Sequence, residues 1–129
     1  MSTPLNVVDS CGWLEYFANG PNADFFAPVI EAEKKLIVPH VVVFEVTRRL
    51  AHQRGEQAAR QAMGFLEKGR VTGLDAEGLC SAALAAQQHR LAMADALIWQ
   101  TAINCGALVY TQDADFMGLP HVVYRAKPV

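Results

Sequence analysis

The sequence predicts an α/β fold, a central parallel β-sheet flanked by helices on both faces. Short apolar runs alternate with segments of helical periodicity along the whole chain. Strands separated by helices pair in parallel, because a crossover through a helix brings the next strand back in the same direction. With 129 residues, 52% hydrophobic and 19% charged, the chain has the size and apolar content of one domain with a substantial core. Residues 1–129 are therefore read as a single domain.

Leu5 to Asp9 reads as a short buried strand, and Ser10 to Asn19 as a helix with Trp13, Tyr16 and Phe17 on its apolar face, closed by Asn19-Gly20-Pro21. A shorter helix covers Asp24 to Lys34, and Leu36-Ile37-Val38 forms the second strand, ended by Pro39. The helix that follows carries Glu45 and runs to about Arg54, where Gly55 breaks it. Glu56 to Lys68 has helical spacing through Ala59, Met63 and Leu66, and Val71 to Leu74 is a weak third strand. Asp75 suits the N-cap of an Ala-rich helix reaching His89. The last helix spans Ala94 to Cys105 with Gly106 at its end, before strands at Leu108-Val109-Tyr110 and Val122-Val123-Tyr124. No repeat or low-complexity tract interrupts this order.

Several function classes are disfavoured by composition. Met1 to Asn6 lacks the basic and apolar regions of a secretory signal. The uncharged stretch 96–112 carries Gln100, Thr101, Asn104 and Gly106 and falls short of a membrane span. Cys11, Cys80 and Cys105 are odd in number and form no CxxC pair, which suits reduced, core-buried thiols in a cytoplasmic protein. The net charge of −2 argues against a general polyanion binder. Setting aside Asp9, Glu45, Asp95, Asp113 and Asp115, however, leaves eight acids against 11 Lys and Arg, a mild basic surplus compatible with a nucleic-acid substrate.

Those acids carry the functional signal. Asp9, Glu45, Asp95 and Asp113 lie far apart in sequence, each in or beside an apolar stretch. An ionised carboxylate in such a setting is costly without a positive partner, and several in one small chain suggest a shared cation. In a parallel sheet ligands bind beyond the carboxyl ends of the strands, where Asp9 follows strand one and Thr111, Gln112 and Asp113 follow strand four. Asp95 shares a helix face with Leu91, Ile98, Trp99 and Ala102, although it also suits the cap of a helix beginning at Ala96. Glu45 has Arg48 and Arg49 at i+3 and i+4, the spacing of a surface ion pair, yet its flank of Val41, Val42, Val43, Phe44 and Val46 is apolar. Asp113 and Asp115 also suit an Asx-turn or a cap. His40, His52, His89 and His121 lack zinc-ligand spacing, and there is no Gly-rich phosphate loop or GxSxG elbow.

Taken together, Val7-Val8-Asp9-Ser10, Glu45 in a helix after a strand and proline, Ala94-Asp95-Ala96-Leu97-Ile98 and Thr111-Gln112-Asp113-Ala114-Asp115-Phe116 resemble the PIN-domain nucleases. The likeness is strongest to the VapC toxins of bacterial and archaeal toxin–antitoxin pairs and covers nearly the whole chain in order. The resemblance implies an endoribonuclease in which Asp9, Glu45, Asp95 and Asp113 form an acidic quartet, with Asp115 a further acid nearby. Ser10 stands where relatives often carry Thr, and Thr111 matches the family's hydroxyl residue beside the pocket. It further implies an RNA substrate, a homodimer, and a small VapB-like antitoxin that puts a basic side chain into the acidic pocket.

The chemistry follows from general principles. Magnesium, or alternatively manganese, takes oxygen ligands and leaves positions for water and substrate phosphate; a metal-activated water attacks a phosphodiester in line while the ion neutralises developing charge. Asp9 and Asp95 are expected as leading ligands, Asp113 as a direct or water-mediated ligand, and Glu45 as a ligand or positioner of the attacking water. Ser10 and Thr111 would bond phosphate or orient the acids, and Arg48, Arg49, Arg54, Lys68 and Arg70 are candidate RNA contacts. A housekeeping nuclease of the same fold and a non-catalytic interaction domain are the alternatives. A receiver-like domain fits poorly, since Asp9 has no acidic neighbour at the end of strand one and Lys127 lies beyond the last strand.

Overall fold

The computed structural model describes residues 4–128, so Met1, Ser2 and Thr3, on which the reading of the chain start partly rests, lie outside the described residues, as does Val129. Five strands, β1 (Leu5–Val8), β2 (Leu36–Pro39), β3 (Arg70–Thr72), β4 (Ala107–Thr111) and β5 (Val122–Tyr124), form one sheet in the order β3-β2-β1-β4-β5. Every neighbouring pair is parallel. The helices are α1 (Ser10–Phe17), α2 (Ala23–Glu31), α3 (His40–Arg54), α4 (Glu56–Leu66), α5 (Ala76–His89) and α6 (Met93–Cys105). The predicted α/β sheet is therefore the observed one.

The chain steps outward from β1 through β2 to β3, then returns past β1 to β4 and β5. Because such crossovers are right-handed, reversing the direction of travel moves the helices to the other face. On this rule α1 to α4 cover one face and α5 and α6 the other. Between β1 and β4, where the direction reverses, the loops diverge and leave a crevice beyond the carboxyl ends of the strands. Val7 and Val8 of β1, Leu36 to Val38 of β2 and Val109 of β4 are buried, with Trp13, Phe26, Val42, Val46, Ile98 and Phe116 packed around them.

Boundaries differ from the sequence expectation for identifiable reasons. Asp9 leaves the strand, so β1 ends at Val8 and Asp9 caps α1 instead. The helix α1 stops at Phe17 because Asn19 turns left-handed (φ 51°) and the Gly20 N–H bonds back to the Glu15 carbonyl. After α2, Ala32 (ψ 67°) breaks the helix and Glu33–Lys35 form a separate 3-10 turn. Pro39 is the last residue of β2, paired in register with Thr72, and also the residue before α3. Pairing with the short β2 confines β3 to Arg70–Thr72, and at Gly73 the chain passes so close to the His40 ring that a side chain would collide with it. Cys80 is exposed and Cys11 and Cys105 are only partly buried, correcting the expectation that the three cysteines are buried in the core.

Gly12 shows how tightly α1 is set on the sheet. A Cβ there would lie 2.6 Å from Val8 Cγ1 and 2.7 Å from Phe26 Cε1, both fully buried side chains with nowhere to move. Overpacking of this kind outweighs the helix propensity an alanine gains, so Gly12→Ala is expected to lower unfolding free energy by about 1–3 kcal/mol. A denaturant titration with an unchanged or higher midpoint would show that α1 lies further from the sheet than these contacts indicate.

Candidate metal centre

The site begins with a carboxylate in an expensive place. Asp9 is 3% exposed, and burial raises its pKa above the ordinary carboxylate range despite the donors around it. Those donors come from two elements. The Gly12 N–H donates to Oδ1 at 2.9 Å, as an N-cap requires. The Cys11 thiol points at both oxygens, at 3.2 and 3.0 Å, and the Thr111 hydroxyl donates to Oδ2 at 2.5 Å. Thr111 is fully buried, and its hydroxyl oxygen also accepts the Asp113 N–H at 2.9 Å. One hydroxyl thus fixes both the carboxylate after β1 and the backbone after β4, whose strands pair with Val8 opposite Tyr110.

Around Asp9 the other acids converge. Carboxylate oxygens of Asp95, Asp113 and Asp115 lie within 4.8 Å of one another. Asp95 stands in the first turn of α6, which starts at Met93 with Ala92 before it, so it is not the helix cap that its sequence position also allowed. Its pKa is pushed up to about 6, first by burial and then by Asp113, Asp9, Asp115 and Glu45. All five acids therefore share one electrostatic neighbourhood. Asp113 does form the turn that its sequence suggested, accepting the Asp115 N–H at 2.9 Å, while still facing the cluster.

Glu45 enters from α3. Its expected ion pair with Arg48 or Arg49 is absent among the described residues, where the one salt bridge joins Arg60 to Glu56 at 2.9 Å. Instead Oε1 accepts a 2.6 Å hydrogen bond from the Ser10 hydroxyl. The buried stripe Val42, Val46 and Leu50 anchors α3, which turns Glu45, Arg48, Arg49 and His52 toward a cavity of about 520 Å³. Asp9, Ser10, Glu45, Asp95 and Asp113 line the same cavity; Thr111 lies beneath it, and Asp115 belongs to the acid cluster at its margin.

Two lining residues escaped the sequence reading. Cys11 was assigned to the core, though its position two residues after Asp9 at the start of a helix was the available clue. His52, set aside in the sequence for want of zinc-ligand spacing, is exposed and lines the cavity, seven residues after Glu45 on the same helix face.

The donor set suits a hard cation. Its acids offer carboxylate oxygens, and burial together with the neighbouring acids pushes the pKa of Asp95 up to about 6, a cost that a bound cation would relieve. Cys11 is a poor thiolate ligand, since burial and then Asp9 push its thiol far above the usual range.

A sequence model of the PIN domain matches residues 7–121. The chain belongs to the PIN-domain family. Solved structures agree in fold: a toxin–antitoxin complex from Klebsiella pneumoniae superposes with a TM-score of 0.75 at 22% identity, covering 92% of this chain and 95% of that one. A VapC toxin from Mycobacterium tuberculosis, described as cleaving the sarcin-ricin loop, gives 0.71 at 20% identity over 88% of this PIN domain and 94% of its own chain. A DNA-bound VapBC from Salmonella typhimurium gives 0.70 at 13% identity, covering 96% and 98%. No protein of curated function matches this sequence significantly.

Two outcomes test this geometry. Thr111→Val removes the hydroxyl from both Asp9 and the Asp113 N–H, and is expected to cost about 1–3 kcal/mol in chemical unfolding, with Thr111→Ser restoring most of it; equal stability of the three proteins would refute the bridging role. The second concerns pH. Below the unfolded value of 3.8 Asp95 is protonated in both states; as pH rises toward 6 the unfolded chain ionises first, so this group becomes progressively destabilising. In chelator, the melting temperature of wild type minus that of Asp95→Asn is expected to fall between about pH 4 and about pH 7. A difference independent of pH would mean that Asp95 does not hold its proton in the fold.

Proposed function

We propose that this PIN domain, residues 1–129, is a magnesium-dependent endoribonuclease and the VapC-type toxin of a toxin–antitoxin pair, acting in the cytoplasm. The observation that carries this reading is the convergence of Asp9, Glu45, Asp95, Asp113 and Asp115 at the switch point of a PIN-fold sheet, beside an open cavity. Structural neighbours described as toxin–antitoxin complexes support an antitoxin partner. The neighbour described as cleaving an RNA loop supports the substrate class. Among the described residues no helix is long and apolar enough to cross a membrane. We extend the reading to a homodimer.

Asp9, Asp95 and Asp113 would hold the cation, with Asp115 beside Asp95 and Asp113 as a further acid. Magnesium, or manganese, supplies when bound a water activated near neutral pH and relief of phosphate charge. The protein's own groups do the positioning. Thr111 and Gly12 keep the Asp9 carboxylate aimed, and Ser10 holds one oxygen of Glu45 while the other accepts a proton from the attacking water. Arg48, Arg49 and His52 line the same cavity and are placed to bond oxygens of the cleaved phosphate, guanidinium groups being suited to that geometry.

Induction of the wild type in a bacterial host is expected to arrest growth and fragment RNA, whereas Asp9→Ala is expected to do neither; identical growth and RNA profiles would sink the toxin reading. In a purified assay Asp9→Ala is expected to lose about a hundredfold or more in cleavage rate. Chelator should abolish wild-type cleavage and magnesium restore it. Cleavage that survives chelation would exclude the metal-dependent mechanism.

A further inference from the structure

A second cavity of about 330 Å³ continues from the first, sharing Cys11, Leu14 and Arg49 with it. Its charge is reversed. Where the first is lined by four carboxylates, the second is lined by Arg49, Arg54 and Lys127 around an apolar floor of Leu14, Phe17 and Leu50. Glu15, the one acid there, is engaged: its Oε2 accepts the Asn22 N–H at 2.8 Å. None of the three cations pairs with a carboxylate among the described residues.

The cations come from two parts of the chain. Arg49 and Arg54 stand on the last turns of α3. Lys127 belongs to the segment after β5, which is fastened in place: the Arg125 N–H donates to the Thr111 carbonyl at 3.0 Å, and Asn22 Nδ2 donates to the Ala126 carbonyl at 3.1 Å and to Gln112 Oε1 at 3.0 Å. Asn22 and Gln112 are buried, so the residues leading to Lys127 are tied to the same loop that carries Asp113.

Taking the nuclease reading as its basis, we infer that the second cavity is the seat of the single-stranded RNA next to the cleaved bond, with Arg54 and Lys127 holding its phosphates. An acidic centre that takes one phosphate through a cation must repel the phosphates on either side. A strand leaving the centre is therefore stabilised where the lining turns positive, and here that change occurs within one continuous surface with Arg49 at the boundary. Grooves of this composition, cationic along the edge and apolar beneath, follow the backbone of single strands without reading sequence.

Arg54 and Lys127 are exposed, so Arg54→Gln with Lys127→Gln is expected to fold normally. The matching control, Lys34→Gln with Lys35→Gln, removes the same charge from the turn before β2, at the opposite edge of the sheet. The probe is a labelled ten-nucleotide RNA of mixed sequence, bound in magnesium and followed by fluorescence anisotropy against salt, with every protein in this binding series carrying Asp9→Ala so that the strand stays intact. Losing two phosphate contacts flattens the slope of log affinity against log salt by about 1.4, so the wild-type advantage over the groove variant shrinks about sevenfold between 50 and 200 mM salt. The control is expected to keep the wild-type slope. With an RNA the wild type cuts, the groove variant should raise KM and leave kcat nearly unchanged, and Arg54→Lys with native Lys127 should restore KM. Equal slopes for the groove variant and the wild type would overturn the inference, as would equal slopes for the two double variants. An unchanged slope with lost retention of a co-expressed antitoxin would also overturn it, reassigning the groove to a protein. Failure of the nuclease reading has a separate signature: the wild type cuts no RNA in cells or in magnesium, whatever the binding slopes show.

Discussion

Burying the Asp9 carboxylate is the constraint around which the rest of the molecule is arranged. An acid in that position is tolerable only if donors reach it from fixed directions, and each donor commits a piece of the fold. The Gly12 N–H requires α1 to start immediately after β1, and the lack of a side chain at Gly12 lets that helix press against Val8 and Phe26. The Thr111 hydroxyl requires β4 to lie beside β1 in one register, since a slip by a single residue would turn Thr111 to the opposite face. The strand order, the helix start and the orientation of the loop carrying Asp113 are thus mutually dependent.

The electrostatics follow the same geometry. Five acids crowd one end of the sheet, where burial and the other four raise the protonation threshold of Asp95, while Arg48 and Arg49 line the same cavity without carboxylate partners among the described residues. A protein selected for stability alone would join these charges in pairs, and α3 has the spacing to do so at Glu45, Arg48 and Arg49. The Ser10 hydroxyl takes Glu45 instead, holding acid and base apart on one face of one helix. Charge separation of this sort is retained energy, available to a ligand carrying both a cation and an anion.

Much of this was legible in the sequence because it depends on periodicity and on chain order. Alternating strand and helix signals gave the parallel sheet, and the sheet rule then brought Asp9 and Asp113 to one edge. Asp95 was legible as a candidate through its apolar helix face. What could not be read were side-chain contacts chosen among several available partners. The hydrogen bond from Ser10 to Glu45 spans 35 positions and competes with two arginines one turn away. The Asn22 and Gln112 pair spans 90 and joins two loops whose paths are set only by packing. Element ends shifted by one to three residues for a similar reason: Asp9 had local claims both to end a strand and to cap a helix, and the burial of its carboxylate decided.

Thr111 lies 102 residues after Asp9, and this distance has a temporal meaning. At a synthesis rate of about 5–20 residues per second, about 5–20 seconds separate the two residues on the ribosome. During that interval β1 has no β4 beside it, Asp9 lacks its hydroxyl donor, and Asp95, Asp113 and Asp115 have not gathered. The acidic centre exists only once the chain has been made through Asp115, so a ligand that needs all of its acids finds nothing to bind while the earlier elements are being synthesised.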